Sequence, residues 1–243
     1  MLRIIDDRTG EPVEAAPVRR GLTRIEAHAP GYDPTALRVL LVTDLLVRAL
    51  ELGGTPVWAL LDAPRQQAEL RAGAAALGMR PLEDSRDVAA GLGEAQVVHV
   101  APQGAGIADG VLLAVGPVEV EPGEPVTDAD PAAVRLALLG APRTAAVRLD
   151  PAVLAAAGDT LARRRHAVAD WARRPSRPVP DAVRARLRAA WENDLDIPAV
   201  LRVLHDVAQA PPGELPDGAR FETYVHADRL LGLDLARDVG APS

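Results

Sequence analysis

Leu22 to Ala29 alternates Leu22, Arg24, Glu26 and His28 with Thr23, Ile25 and Ala27, a period of two that predicts a short strand ending at the breakers Pro30 and Gly31. Asp33-Pro34 then opens a helix, with Asp33 as cap and Pro34 in its first position. From Pro34 to Leu52 that helix is apolar on most faces, which predicts burial, and Gly53-Gly54 ends it. Thr55 to Leu61 reads as a second strand, Arg65 to Leu77 as a helix closed by Gly78, and Asp84 to Gly91 as a weaker helix. Gln96 to Ala101 and Val111 to Val115 are short apolar runs with β-branched content and read as buried strands. Strands that alternate with helices imply parallel pairing.

Beyond an acidic, Pro-rich loop from Glu119 to Asp128, the pattern turns helical. A helix runs from Pro131 to Leu139 behind Asp130, and Asp150-Pro151 caps another that reaches about Trp171. After a Pro-rich linker at 174–180, helices are expected over Asp181 to Trp191, from Asp196-Ile197-Pro198 to about Ala210, and from about Ala219 to Leu231. The expected architecture is an α/β, Rossmann-like parallel sheet over residues 1–142, followed by an α-helical bundle over 143–243.

Composition sharpens this picture. Of 243 residues 48% are hydrophobic, almost all Ala, Leu and Val, which is enough for an aliphatic core. There is no cysteine, so disulfides, thiolate catalysis and sulfur-ligated zinc are excluded. There is no lysine either: all 27 basic residues are Arg, which excludes Schiff-base chemistry. The start, Met1 to Asp7, does not have the pattern of a signal peptide, and charges interrupt the most apolar window. A cytoplasmic protein that makes no membrane contact is therefore expected.

The net charge of −7 argues against a general nucleic-acid surface. From Arg163 to Arg188, however, nine Arg face only Asp170 and Asp181, a local +7 that leaves −14 elsewhere. Arg163, Arg164, Arg165, Arg173 and Arg174 are the candidates for phosphate or tRNA contact, against the alternative of a solvated face.

Several segments, in order, resemble the cysteinyl-tRNA synthetase family of class I synthetases. They are His28-Ala29-Pro30-Gly31-Tyr32-Asp33, then Asp44-Leu45-Leu46-Val47-Arg48-Ala49-Leu50-Glu51-Leu52-Gly53-Gly54 with the following strand, then Asp130-Pro131-Ala132-Ala133-Val134-Arg135-Leu136-Ala137-Leu138-Leu139, and finally Glu192-Asn193-Asp194-Leu195-Asp196-Ile197-Pro198-Ala199-Val200-Leu201. The resemblance touches about half the chain and implies a class I synthetase type of sheet with a bundle behind it.

The family's chemistry departs from these positions. Its His-Ile-Gly-His signature belongs between Tyr32 and Asp44, where this chain is shorter and holds no His; Arg38 falls where the family has an Arg just after that signature. Its Lys-Met-Ser-Lys-Ser signature belongs after Val115, where Gly116 to Pro125 carries three Glu and no cation. The strand-end zinc ligand is replaced by His28, the stretch between Leu61 and Val111 is too short for the metal-binding insertion, and no anticodon domain is expected after the bundle.

These losses imply a truncated, non-catalytic or repurposed paralogue without zinc or another cofactor, its cleft kept for a small-molecule or protein partner. Pocket candidates are His28, Tyr32, Asp33, Arg38 and His99, and no catalytic residue is named. Two alternatives stand beside it: an amino-acid ligase with a diverged activating site, for which alone ATP is expected, and a tRNA-binding accessory, which is not favoured. His166, His205 and His226 sit in helices at no metal-ligand spacing and read as structural. Gln103-Gly104-Ala105-Gly106 resembles a phosphate loop but lacks its third Gly and a following helix.

Overall fold

A computed structural model describes residues 1–17, 22–85, 94–107, 109–120, 130–211 and 213–241. It opens with an antiparallel hairpin of β1 (Arg3–Asp6) and β2 (Glu11–Glu14), which the hydrophobic pattern does not announce. In β3 (Leu22–His28), Thr23, Ile25 and Ala27 are buried while Arg24, Glu26 and His28 are only half-buried, so one face meets the core and the other carries polar groups. The helix α1 (Pro34–Leu52) has the expected bounds. Asp33 caps it by accepting from the Ala36 N–H at 2.7 Å, and the Gly53 N–H closes it on Ala49 O.

The chain continues through β4 (Val57–Asp62), α2 (Gln67–Ala76), β5 (Glu83–Asp84), β6 (Glu94–Pro102) and β7 (Val111–Val115). These strands form one parallel five-stranded sheet in the order β5-β4-β3-β6-β7. The expected helix over Asp84 to Gly91 begins instead as strand, because Glu83 and Asp84 pair with Leu60 and Leu61; residues 86–93 lie outside the described residues. The order reverses between β3 and β6, which leave the centre of the sheet in opposite directions and make that pair the topological switch point.

Next come β8 (Val118–Val120), α3 (Pro131–Leu139) and β9 (Val147–Leu149), with β8 and β9 paired in parallel across α3. Residues 121–129, most of the acidic loop and the end of the segment compared with the second signature, lie outside the described residues. Then follow α4 (Pro151–Trp171), α5 (Asp181–Glu192), α6 (Ile197–Gln209) and α7 (Asp217–Leu231).

Residues on both sides of position 143 share one apolar core, and the strand β9 lies beyond that position. The same apolar cluster contains Ile25, Leu41, Val98 and Leu113 from the sheet half and Leu161, Val200, Leu204 and Leu231 from the helices. Arg143 itself fastens the halves: it donates to Asp7 Oδ2 (2.7 Å), Ala114 O (2.6 Å), Ile5 O (2.9 Å) and Asp194 Oδ1 (3.0 Å). Among the described residues no helix is long and apolar enough to cross a membrane.

Candidate functional site

Open parallel sheets hold ligands at the carboxyl ends of the strands that flank the switch point. Here that place carries a polar cluster. Register sets Glu26 of β3 beside His99 of β6, and His28, the last residue of β3, beside Asp62, the last residue of β4. Glu26 and His28 are two apart on one strand, so both side chains leave the half-buried face. His28 Nε2 lies 2.9 Å from His99 Nδ1, His28 Nδ1 lies 3.1 Å from Asp62 Oδ2, and Glu26 Oε2 stands 3.5 Å from His99 Nδ1. The chain of contacts runs from the more exposed Asp62, through His28, to the buried His99.

Proton positions follow from the partners. A carboxylate oxygen only accepts, so Asp62 takes the Nδ1–H of His28, and in the singly protonated ring that leaves a bare Nε2 lone pair toward His99. Burial lowers the pKa of His99 first; His28, Arg24 and Arg8 lower it further by charge, against the opposing pull of Glu26. Burial therefore disfavours the charged form of His99. Gly110, at φ +64°, leaves room for its ring: a Cβ there would stand 2.9 Å from His99 Cδ2 and 3.0 Å from Nε2. A side chain there would meet the imidazole edge and strain the backbone as well.

The other residues expected in the pocket part company. Arg38 is 1% exposed and donates to the carbonyls of Gly116 (3.0 Å), Pro142 (2.8 Å) and Ala145 (2.5 Å), so it clasps the loops before β8 and β9 and takes no part in the His28–His99 cluster. Asp33 is an exposed residue whose carboxylate is engaged as the cap of α1. Tyr32 is 44% exposed and borders a separate apolar groove of about 280 Å³ with Leu37, Leu77, Val120 and Val134. Gln103 hydrogen-bonds Thr144 O at 3.0 Å, and the backbone of Ala105 turns back on Pro102 O, so the 103–106 loop closes on its own neighbours. His166 meets Asp170 on the surface at 3.3 Å, His226 stacks near Trp191, and His205 borders an open surface groove.

The arginine run is divided by helical geometry. Arg165 is buried and donates to Leu233 O (2.8 Å) and Asp234 O (3.0 Å). Arg164 is half-buried, and burial lowers its pKa. Arg163 is exposed and donates to Thr160 Oγ1, while Arg173 and Arg174 stand 4.0 Å from Asp170 and Asp217. Consecutive residues on a helix are about 100° apart, so three in a row cannot share a face.

Sequence reasoning found His28 and His99 but missed Glu26 and Asp62. The signal for Glu26 was present in the two-residue spacing to His28. Asp62 becomes visible only once β3 and β4 are paired in register. Among the described residues, Glu26, His28 and His99 form the one group of three possible metal donors, their ligand atoms within 4.8 Å of one another. Compared with known families and characterised proteins, the chain matches no family model and no curated protein.

Proposed function

We propose that this chain binds a small polar metabolite at the switch-point edge of a synthetase-like scaffold and does not activate an amino acid with ATP. The observation that carries this reading is the meeting of His28 and His99 from the two strands of the switch point, with Asp62 and Glu26 as partners. Four hydrogen-bonding side chains converge where such sheets hold ligands.

The same edge is unsuited to a triphosphate. A helix N-terminus attracts phosphate through free N–H groups and its positive dipole end. At α1 the Asp33 carboxylate already occupies that position, and Glu119 of β8 adds negative charge beyond it. Arg38, the cation expected near the phosphates, is sealed inside. Transition-state stabilisation by cations is commonly the largest catalytic contribution to such chemistry, so its loss removes adenylation.

Purified protein is expected to show no ATP–pyrophosphate exchange with any standard amino acid. Exchange that His28→Ala abolishes would establish the ligase alternative and sink this reading. In a thermal-shift panel of amino acids, nucleotides and organic acids, at least one compound is expected to stabilise the protein without ATP. That stabilisation should vanish in both His28→Ala and His99→Ala, and a panel without such a compound counts against the proposal.

A further inference from the structure

We propose that Glu26, His28 and His99 bind one divalent first-row transition-metal ion, of the zinc class, through Glu26 Oε2, His28 Nε2 and His99 Nδ1. This departs from the metal-free expectation raised by the sequence and deepens the reading of the cleft, since the ion would share it with any metabolite.

The donor set comes first. Two imidazoles and a carboxylate suit zinc and its neighbours, whereas magnesium and calcium prefer all-oxygen sites. All three donors stand on adjacent strands of the central sheet, so their positions are set by the ladder between β3 and β6 and need no loop to close. With bonds of about 2.0–2.1 Å, tetrahedral ligand atoms lie about 3.3 Å apart. The 3.5 Å between Glu26 Oε2 and His99 Nδ1 is already close to that, and the 2.9 Å between the two imidazole nitrogens has to open by a few tenths of an ångström.

The proton arrangement comes second, and it is independent of spacing. Asp62 takes the Nδ1–H of His28 at 3.1 Å, the pairing of carboxylate with histidine that orients metal-bound imidazoles and raises their basicity. It leaves His28 Nε2 as an acceptor. The proton between the rings then sits on His99 Nδ1, and metal binding needs only that His99 change tautomer and carry it on Nε2. No strong base has to be lost. Two cations oppose the ion, but Arg8 is bonded to Asp6 at 3.1 Å, and the carboxylates of Glu26 and Asp62 outweigh the single charge of Arg24.

Three protein ligands leave a fourth position open. A closed structural site takes four, so the arrangement is that of an ion that also holds water or a ligand group facing the cleft. A metabolite bearing a carboxylate or hydroxamate-like pair of oxygens would fill it.

The test uses the whole 243-residue chain and metal alone, so failure of the metal proposal is read separately from failure of metabolite binding. Titration with Co²⁺ is expected to give visible d–d bands of a four- or five-coordinate site, saturating at one ion per chain and displaced by Zn²⁺ but not by Mg²⁺. His28→Ala and His99→Ala should each abolish the bands. Glu26→Gln, which keeps the side chain's size and hydrogen bonding, should weaken Zn²⁺ binding at least tenfold, and Asp62→Asn about 10- to 100-fold through the orientation of His28. Circular dichroism and melting of every variant keep misfolding from passing as lost ligation, and the two conservative variants stand if either alanine variant fails to fold. Absence of a saturable site, or Zn²⁺ binding unchanged in His99→Ala and Glu26→Gln, overturns the proposal.

Discussion

Asp44 sits in the middle of α1 at 2% exposure, where a lone carboxylate would be costly. Its Oδ2 accepts from Arg135 Nη2 at 2.7 Å and from Arg48 Nε at 2.9 Å. Arg135 is fully buried and also donates to Leu77 O and Leu231 O, so one ion pair joins α1, the end of α2, α3 and α7. Burial lowers the pKa of Arg135, and the charge and hydrogen bond of Asp44 oppose that shift. Both residues stand in segments that carry the family resemblance, yet their pairing across 91 positions was not legible, because no local pattern encodes which buried charges meet. Asp44→Ala is expected to cost about 3–5 kcal/mol in urea denaturation, since it strands a buried guanidinium. Adding Arg135→Met should recover part of that loss, a coupling that a double-mutant cycle measures. The candidate site was half legible for the same reason: His28 at a strand end and His99 within an apolar strand stand out as rare residues, while Glu26 and Asp62 acquire meaning from register.

At the scale of elements, the helices introduced by Asp-Pro were the most readable. Asp33, Asp130 and Asp150 each accept a first-turn N–H at 2.7 to 2.9 Å, and α1, α3 and α4 have the bounds their caps imply. The strand β7 is likewise as expected. The elements missed were β1, β2, β5, β8 and β9, none longer than four residues. Such segments are too short to display a period, and what holds them is distant pairing: Val118–Val120 finds Val147–Leu149 only after α3 has folded back. A cap whose side chain also holds negative charge over a helix N-terminus has a measurable share in stability. Asp33→Ala should cost about 0.5–2 kcal/mol by denaturant titration, and Asp33→Asn much less, because the amide oxygen still accepts from the Ala36 N–H. Equal losses in the two variants would mean that the carboxylate's charge, rather than its hydrogen bond, holds α1.

On the scale of the whole molecule, charge decides which partners can approach. The segment from Arg163 to Arg188 carries a local +7 by sequence, but the fold brings Asp206 against Arg186 and Asp217 near Arg174, which reduces it to about +5 by adding two carboxylates to the original pair. Arg165 is spent on carbonyls in the interior, and Arg173 and Arg184 already stand within 4.0 Å of Asp170 and Asp181. Binding tRNA would require several free guanidiniums on one face, each releasing counterions and contributing about 0.7 to 0.9 to the slope of log affinity against log salt. Even with three phosphates contacted, affinity would fall about 20- to 40-fold between 50 and 200 mM salt. The acidic remainder of the molecule opposes the approach within a Debye length of about 8 Å. A mobility-shift titration with bulk tRNA is therefore expected to show at most weak binding at 50 mM salt and none at 200 mM. Tight binding at the higher salt that disappears in an Arg163→Glu, Arg173→Glu, Arg174→Glu triple variant would establish the accessory role instead. These three side chains are exposed, so the triple variant is expected to keep its fold, which circular dichroism and melting check, and any loss of binding then reports on the surface rather than on the core.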